Sequence, residues 1–249
     1  MSLGFIRFLF LAGVAVGCVA CTDDSPVRTE TREVPSFNAI EMRGGAQLEI
    51  SVGEGPSVRV EGPEYSLQHL KTEVREQTLY ITSRFRDWAP NEQGRRVTIR
   101  IAVPTLVSLR LGGGNEVRVS GYSGGSTNIH IEGFSNFEAE GALDELVVRM
   151  AGAGRADLSK LLAKNTRVTV DGVATIHVHP QETLDATMNG VGAIFYTGAP
   201  REVSTHINGL GTISRDDRDT TDEEPVERDQ GRPDPEELDV EYERERQTV

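Results

Sequence analysis

The chain has 249 residues, enough for one large or two modest domains, and a net charge of −13. That charge argues against nucleic acid as a partner, because phosphate binding needs a basic face. Both cysteines, Cys18 and Cys21, lie near the N-terminus, so the body has neither a disulfide framework nor a Cys-based zinc site, and packing and backbone ladders must hold it together.

The first segment carries Arg7, then an apolar run from Phe8 to Gly17, then small residues. The run is about half the roughly 20 residues that a membrane-spanning helix needs, and fits the apolar core of a signal peptide. With a cysteine at its end it resembles a bacterial lipoprotein signal, cut just before an acylated Cys. Cys18, after Ala15-Val16-Gly17, is slightly the better candidate, and Cys21, after Cys18-Val19-Ala20, stays open. The plainer alternatives are an ordinary secretory signal or an uncut anchor. The signal is therefore expected over residues 1–17 (or 1–20), and a flexible tether without apolar periodicity over 18–35.

From Phe37 onward apolar residues alternate between Gly/Pro clusters, the mark of strands. Ile40, Met42, Ala46, Leu48, Ile50 and Val52 form the first series. Short helical pieces are expected only at Tyr65–Leu70 and Ser159–Ala163. The segments Leu79–Thr82 and Val97–Val103 belong to an insertion over about 54–104, where they pair antiparallel with each other or lie beside the rest.

A glycine then returns at near-constant intervals. Gly113, Gly133, Gly152, Gly172, Gly190 and Gly209 are separated by 20, 19, 20, 18 and 19 residues, and Gly44 is an earlier copy. All but Gly209 are followed by an alternating apolar pair, as in Gly172 with Ile176 and Val178, and Gly209 leads to Ile213. A unit of this size cannot bury its apolar edge alone, but stacked copies can. The expected fold is all-β: a single-domain β-solenoid, parallel β-helix-like, with about 19–20 residues per repeat over residues 36–214. The glycines, with Gly192 and Gly211 in the last two copies, would be corners where a Cβ would clash. A β-sandwich would show the alternation but not the period.

Several motifs suggest chemistry. Gly121-Tyr-Ser-Gly-Gly125 matches a nucleophile elbow, but a strand pattern follows where that motif needs a helix. His177 and His179 could share one side of a strand and hold a metal, with Asp157 one coil away as a third ligand, but histidines on an outward strand face are usually solvated and no metal is expected. Asp144, Asp157, Asp171 and Asp185 occupy different positions of the repeat, which disfavours a clustered carboxylate site. No cofactor is expected. Residues 215–249 hold 15 Asp/Glu against 6 Arg and read as a disordered acidic tail, with a short helix conceivable over Glu236–Arg246.

The segment Phe37-Asn-Ala-Ile-Glu-Met42, the run Gly190-Val-Gly-Ala-Ile-Phe-Tyr-Thr-Gly198 and the second Gly209-Leu-Gly-Thr-Ile213 make residues 36 to 214 resemble the bacterial head GIN domain. That family is described as an adhesin head and is often lipid-anchored. The resemblance implies a β-solenoid in the cell envelope and brings no catalytic residues. The function expected is non-enzymatic binding, adhesion or scaffolding at a lipid-anchored envelope site, with an envelope protein or a glycan as partner. The alternative is a carbohydrate-active enzyme on the same fold, which requires acidic residues from adjacent coils to converge in a groove.

Overall fold

The computed structural model describes residues 26–83 and 96–216. The expected signal, both cysteines and the acidic tail beyond residue 216 lie outside the described residues.

The elements in chain order are β1 (Val27–Arg32), β2 (Ala39–Val52), β3 (Ser57–Pro63), α1 (Glu64–His69), β4 (Lys71–Arg75), β5 (Thr78–Thr82), β6 (Thr98–Val103), β7 (Ser108–Ser123), β8 (Ser126–Met150), β9 (Ala153–Val170), β10 (Val173–Met188), β11 (Val191–Tyr196), β12 (Glu202–Ile207) and β13 (Leu210–Arg215). From β2 through β7, β8, β9 and β10 to β11, each strand pairs in parallel with the equivalent strand of the next coil. This is a β-solenoid of about five turns.

Parallel stacking puts like residues above like residues. Ile40, Leu109 and Ile129 lie in one register, and Met42, Leu111 and Ile131 in the next; all are buried. After the corner, Val117, Phe137, Ala156, Ile176 and Ile194 form another buried column. Side chains between them point outward, as a period of two requires.

The glycine column shows why the corner tolerates no side chain. A Cβ built on Gly133 would lie 2.0 Å from the carbonyl oxygen of Gly113, and one on Gly152 would lie 1.9 Å from that of Gly133. The same contact measures 1.8 Å at Gly172, 1.9 Å at Gly190 and 1.9 Å at Gly209, each time to the glycine one coil before. Gly113 also has φ of 96°, a left-handed conformation. At the inner corner Gly192 would meet Ala174, and Gly211 would meet Gly192. Beside this column runs an amide ladder: Asn189 donates to Asp171 (2.8 Å), and Asn208 donates to Asn189 (3.0 Å).

The structure departs from the sequence expectation in three places. Leu79–Thr82 and Val97–Val103 do not pair with each other. β5 and β6 each pair in parallel with β2 and so form a coil beneath it, although they follow it in sequence. That docking sets Leu79 and Ile81 beside Ile40 and Met42, and Ile99 and Ile101 beside Leu48 and Ile50, extending both buried columns. Their antiparallel partners are β4 and β3 instead.

Ser159–Ala163 is not helical but part of β9. Leu161 and Ala163 are fully buried while Leu162 is exposed, so the stretch keeps the strand period. Five residues cannot recover the cost of helix nucleation, whereas coils on both sides offer ladder partners.

Part of the expected tether is a strand. β1 pairs antiparallel with β3, Val27 opposite Pro63 through Arg32 opposite Val58, without any apolar alternation to announce it. The helix expected at Tyr65–Leu70 is present as α1.

Candidate functional site

The outward positions that follow the corner form the most structured surface of the coil. Glu49, Arg118, Glu138, Asp157, His177 and Phe195 stand in register on successive coils. Each comes five residues after a corner glycine: Gly44, Gly113, Gly133, Gly152, Gly172 and Gly190. Neighbouring strands are about 4.8 Å apart, so the row is about 24 Å long.

Beside this row the strands are irregular. The register shifts between Val119 and Tyr122, between Glu138 and Glu140, and between Val178 and His179. Bulges bend strands locally, and the surface next to them is concave. A groove of about 510 Å³ lies there, lined by Glu49, Arg118, Glu138, Glu140, Asp157 and Lys160. A second hollow of about 450 Å³ shares Arg118, Glu138 and Asp157 and adds Glu116, Asn136 and Arg155.

Most of these charges are tied to one another. Arg100 donates to Glu49 (2.8 Å) and to Glu61 (2.7 Å). Arg118 donates to Glu116 (2.9 Å) and to Glu138 (3.3 Å). Asp157 accepts from the hydroxyl of Ser159 (2.6 Å) and from its backbone N–H (3.2 Å). Partial burial pushes the Asp157 carboxyl up, but the two bonds from Ser159, with His177 and Arg155, outweigh it and hold the group below the usual carboxylate range. Glu140 and Lys160 face each other in register and make no ion pair among the described residues.

The residues singled out in the sequence fare differently. His177 takes its place in the row, with Asp157 and Phe195 on either side, and its ring packs on Phe195 at a centroid distance of 5.0 Å. His179 is set apart by the register shift; its Nδ1 lies 3.0 Å from the Thr197 hydroxyl. Among the described residues, no three His, Cys, Asp or Glu side chains are grouped so as to hold a metal ion. Ser123 ends β7, and the next element is the strand β8, so the nucleophile-elbow match lacks its helix.

Asp144, Asp171 and Asp185 do not converge. Each joins two coils through a cation: Lys164 (2.7 Å), Arg149 (2.8 Å) and Arg167 (3.0 Å) respectively. These pairs are solvent-exposed and add little to stability.

The expectation that carboxylates stay scattered fails at one point. Asp157 meets Glu138 of the coil below, and Glu49 and Glu140 line the same groove. The expectation followed the aspartates alone. Counting every charged residue five places after a corner glycine brings the row out of the sequence.

Residues 36–200 match the family described as "Putative auto-transporter adhesin, head GIN domain". Among solved structures, a "putative adhesin" from Bacteroides fragilis is 20% identical, with a TM-score of 0.58 over 78% of this chain and 99% of its own. Another "putative adhesin", from Parabacteroides distasonis, is 16% identical, covers 78% of this chain and 98% of its own, and has a TM-score of 0.47. A "putative lipid binding protein" from the same organism is 21% identical over 78% and 98% of the two chains, with a TM-score of 0.42. No curated protein is significantly similar in sequence. The match over 36–200, together with the parallel coils and their column of corner glycines, means that this chain belongs to the head GIN domain family.

Proposed function

We propose that the chain is a non-enzymatic binding module of the bacterial cell envelope that holds a glycan against the charged row between Glu49 and Phe195. The groove carries the reading. Its lining offers carboxylates, the Arg118 guanidinium, Lys160 and the hydroxyls of Ser51 and Ser120, an inventory suited to a polyhydroxylated polymer. Further along the row, His177 and Phe195 supply two aromatic rings, tilted 31° to each other, for contact with a sugar ring. A glycan array of envelope polysaccharides tests this. Binding should weaken about tenfold or more in Arg118→Ala, the loss of charged hydrogen bonds worth roughly 1.5–3 kcal/mol. If no glycan is retained, or Arg118→Ala binds as well as the parent, the reading fails.

The four carboxylates of the groove favour one rival, glycan cleavage. A glycosidase needs a carboxyl kept protonated to act as general acid. Asp157 is displaced the other way, and Glu138 is engaged by Arg118. We therefore expect no new reducing ends when the protein is incubated with any glycan it retains; their appearance, and their loss in Glu138→Gln, would favour the enzyme.

The anchor belongs to the same proposal. Acylation at Cys18 or Cys21 would tether the domain at about 0.8 kcal/mol per buried CH₂. Cys18→Ser with Cys21→Ser should move the protein from the membrane fraction to the soluble one. Unchanged partitioning would exclude a lipid anchor at either cysteine.

A further inference from the structure

The two ends of the coil are finished differently. At one end β6 is covered by the antiparallel pair β3–β1, and β5 by antiparallel β4. Next to β3, α1 brings Leu67 and the following Leu70 into the core. At the other end nothing follows among the described residues. β12 pairs only with β10, and β13 only with β11.

The bare end keeps the core pattern of a coil that should be covered. Val203, Thr205 and Ile207 stand in register with the buried Leu184, Ala186 and Met188, so they point inward. Yet all of β12 is exposed, Val203 at 42% and Ile207 at 48%. The strand has no lysine, proline or bulge, the devices that keep an edge from pairing with another chain.

We infer that this edge is a self-association surface, taken up by β12 of a second copy in antiparallel pairing. Antiparallel pairing of β12 with itself uses the same strand on both copies, so the contact closes as a two-fold pair. The outward residues of β12 fit such a pair. Glu202 and His206 lie on the same face, four residues apart. Pairing centred on Ser204 sets Glu202 across from His206 of the second copy, twice, and Val203 across from Thr205 on the inner face. One force opposes it. Each copy carries a net charge of −13, so the charges of two copies repel each other. Association should therefore strengthen as salt screens them.

Sedimentation equilibrium on the chain from Thr22 to Val249 tests this. We expect a reversible dimer whose dissociation constant falls several-fold between about 0.05 and about 0.5 M NaCl. Thr205→Lys, at a position exposed in the monomer, should weaken the dimer about tenfold or more without lowering the Tm of the monomer. Glu202→Lys and His206→Glu should each weaken it, and the double variant should restore it, which a merely structural role for either residue would not produce. A monomer at every salt concentration overturns the inference, as does a dimer indifferent to Thr205→Lys. Amide-exchange protection of β12 in a monomer, lost when the chain stops at Asp216, would assign the edge to the chain's own C-terminal segment and equally overturn it.

Discussion

Replacing Gly172 by alanine should lower the melting temperature by roughly 6–12 °C or prevent folding altogether, whereas Gly55→Ala should shift it by no more than about 2 °C. The difference comes from what each new methyl meets. At Gly172 it would sit 1.8 Å from the Gly152 oxygen and 2.8 Å from its carbonyl carbon. Ordinary contact needs about 3.5 Å or more, so two coils would have to part locally. The same oxygen accepts the N–H of Val173 at 2.9 Å, and parting the coils strains that bond as well. Overpacking of this kind costs about 1–3 kcal/mol and occasionally more, and the weakened ladder adds about 1 kcal/mol. At about 2–4 °C per kcal/mol for a domain of this size, a loss near 3 kcal/mol gives the expected shift. Gly55 has no atom within 4 Å of its would-be Cβ. A Gly172→Ala protein as stable as its parent would mean that the coils do not approach as closely as the column requires.

The legibility of this fold in the sequence follows from the same column. Gly113 to Gly209 could be found because every coil must solve one steric problem at one position, and a shared problem leaves a period. Where coils are not built from copies, the period is silent. β5 and β6 lie against β2 from positions 39 and 51 residues further along the chain, Thr78 beside Ala39 and Thr98 beside Gln47. The sequence between them carries no copy of the repeated phrase, so nothing local announces that they form the coil beneath. β1 escaped notice for another reason. Its pairing with β3 is made by the backbone, and its side chains are mostly exposed, so burial left no alternation to detect. Ser159–Ala163 suggests a helix because two adjacent leucines fit a helical turn and a bulged strand equally well over so short a span.

The charged row lay between these extremes. Its members share a position but not a chemistry: Arg118, Glu138, Asp157, His177 and Phe195 look unrelated until they are counted from their glycines. The groove beside them was not legible at all. Its lining includes Val119, Glu138 and Glu140, where the register shifts, and a bulge is decided by how two strands meet, not by either strand alone. The feature that gives the surface its concavity is thus tertiary, while the residues that line it are set by the repeat.

Phe137→Ala should be the most damaging single truncation in the core, at about 3–5 kcal/mol, with Phe137→Leu near or below 1.5 kcal/mol. Phe137 is almost wholly buried and lies between Val117 of the coil below and Ala156 of the coil above. A large ring in this column needs a small neighbour, and Ala156 provides the room. The two positions should therefore be coupled. Ala156→Leu alone overpacks the column and destabilises by roughly 1–3 kcal/mol, because the ring already fills the space. In the double variant the leucine enters the cavity left by the missing ring. The double variant should then be more stable than the sum of the single losses by about 1 kcal/mol or more, measured by urea unfolding. The same experiment reports on the surface. Asn136 and Glu138 flank Phe137 and point outward into the hollows of the charged row, so their positions depend on how well the ring is packed. Phe137→Ala should weaken ligand binding at a temperature where the protein is still folded, and the double variant should recover part of it. Strictly additive losses would mean that Phe137 and Ala156 do not share one space, and that the row of charges is not held in place by the column behind it.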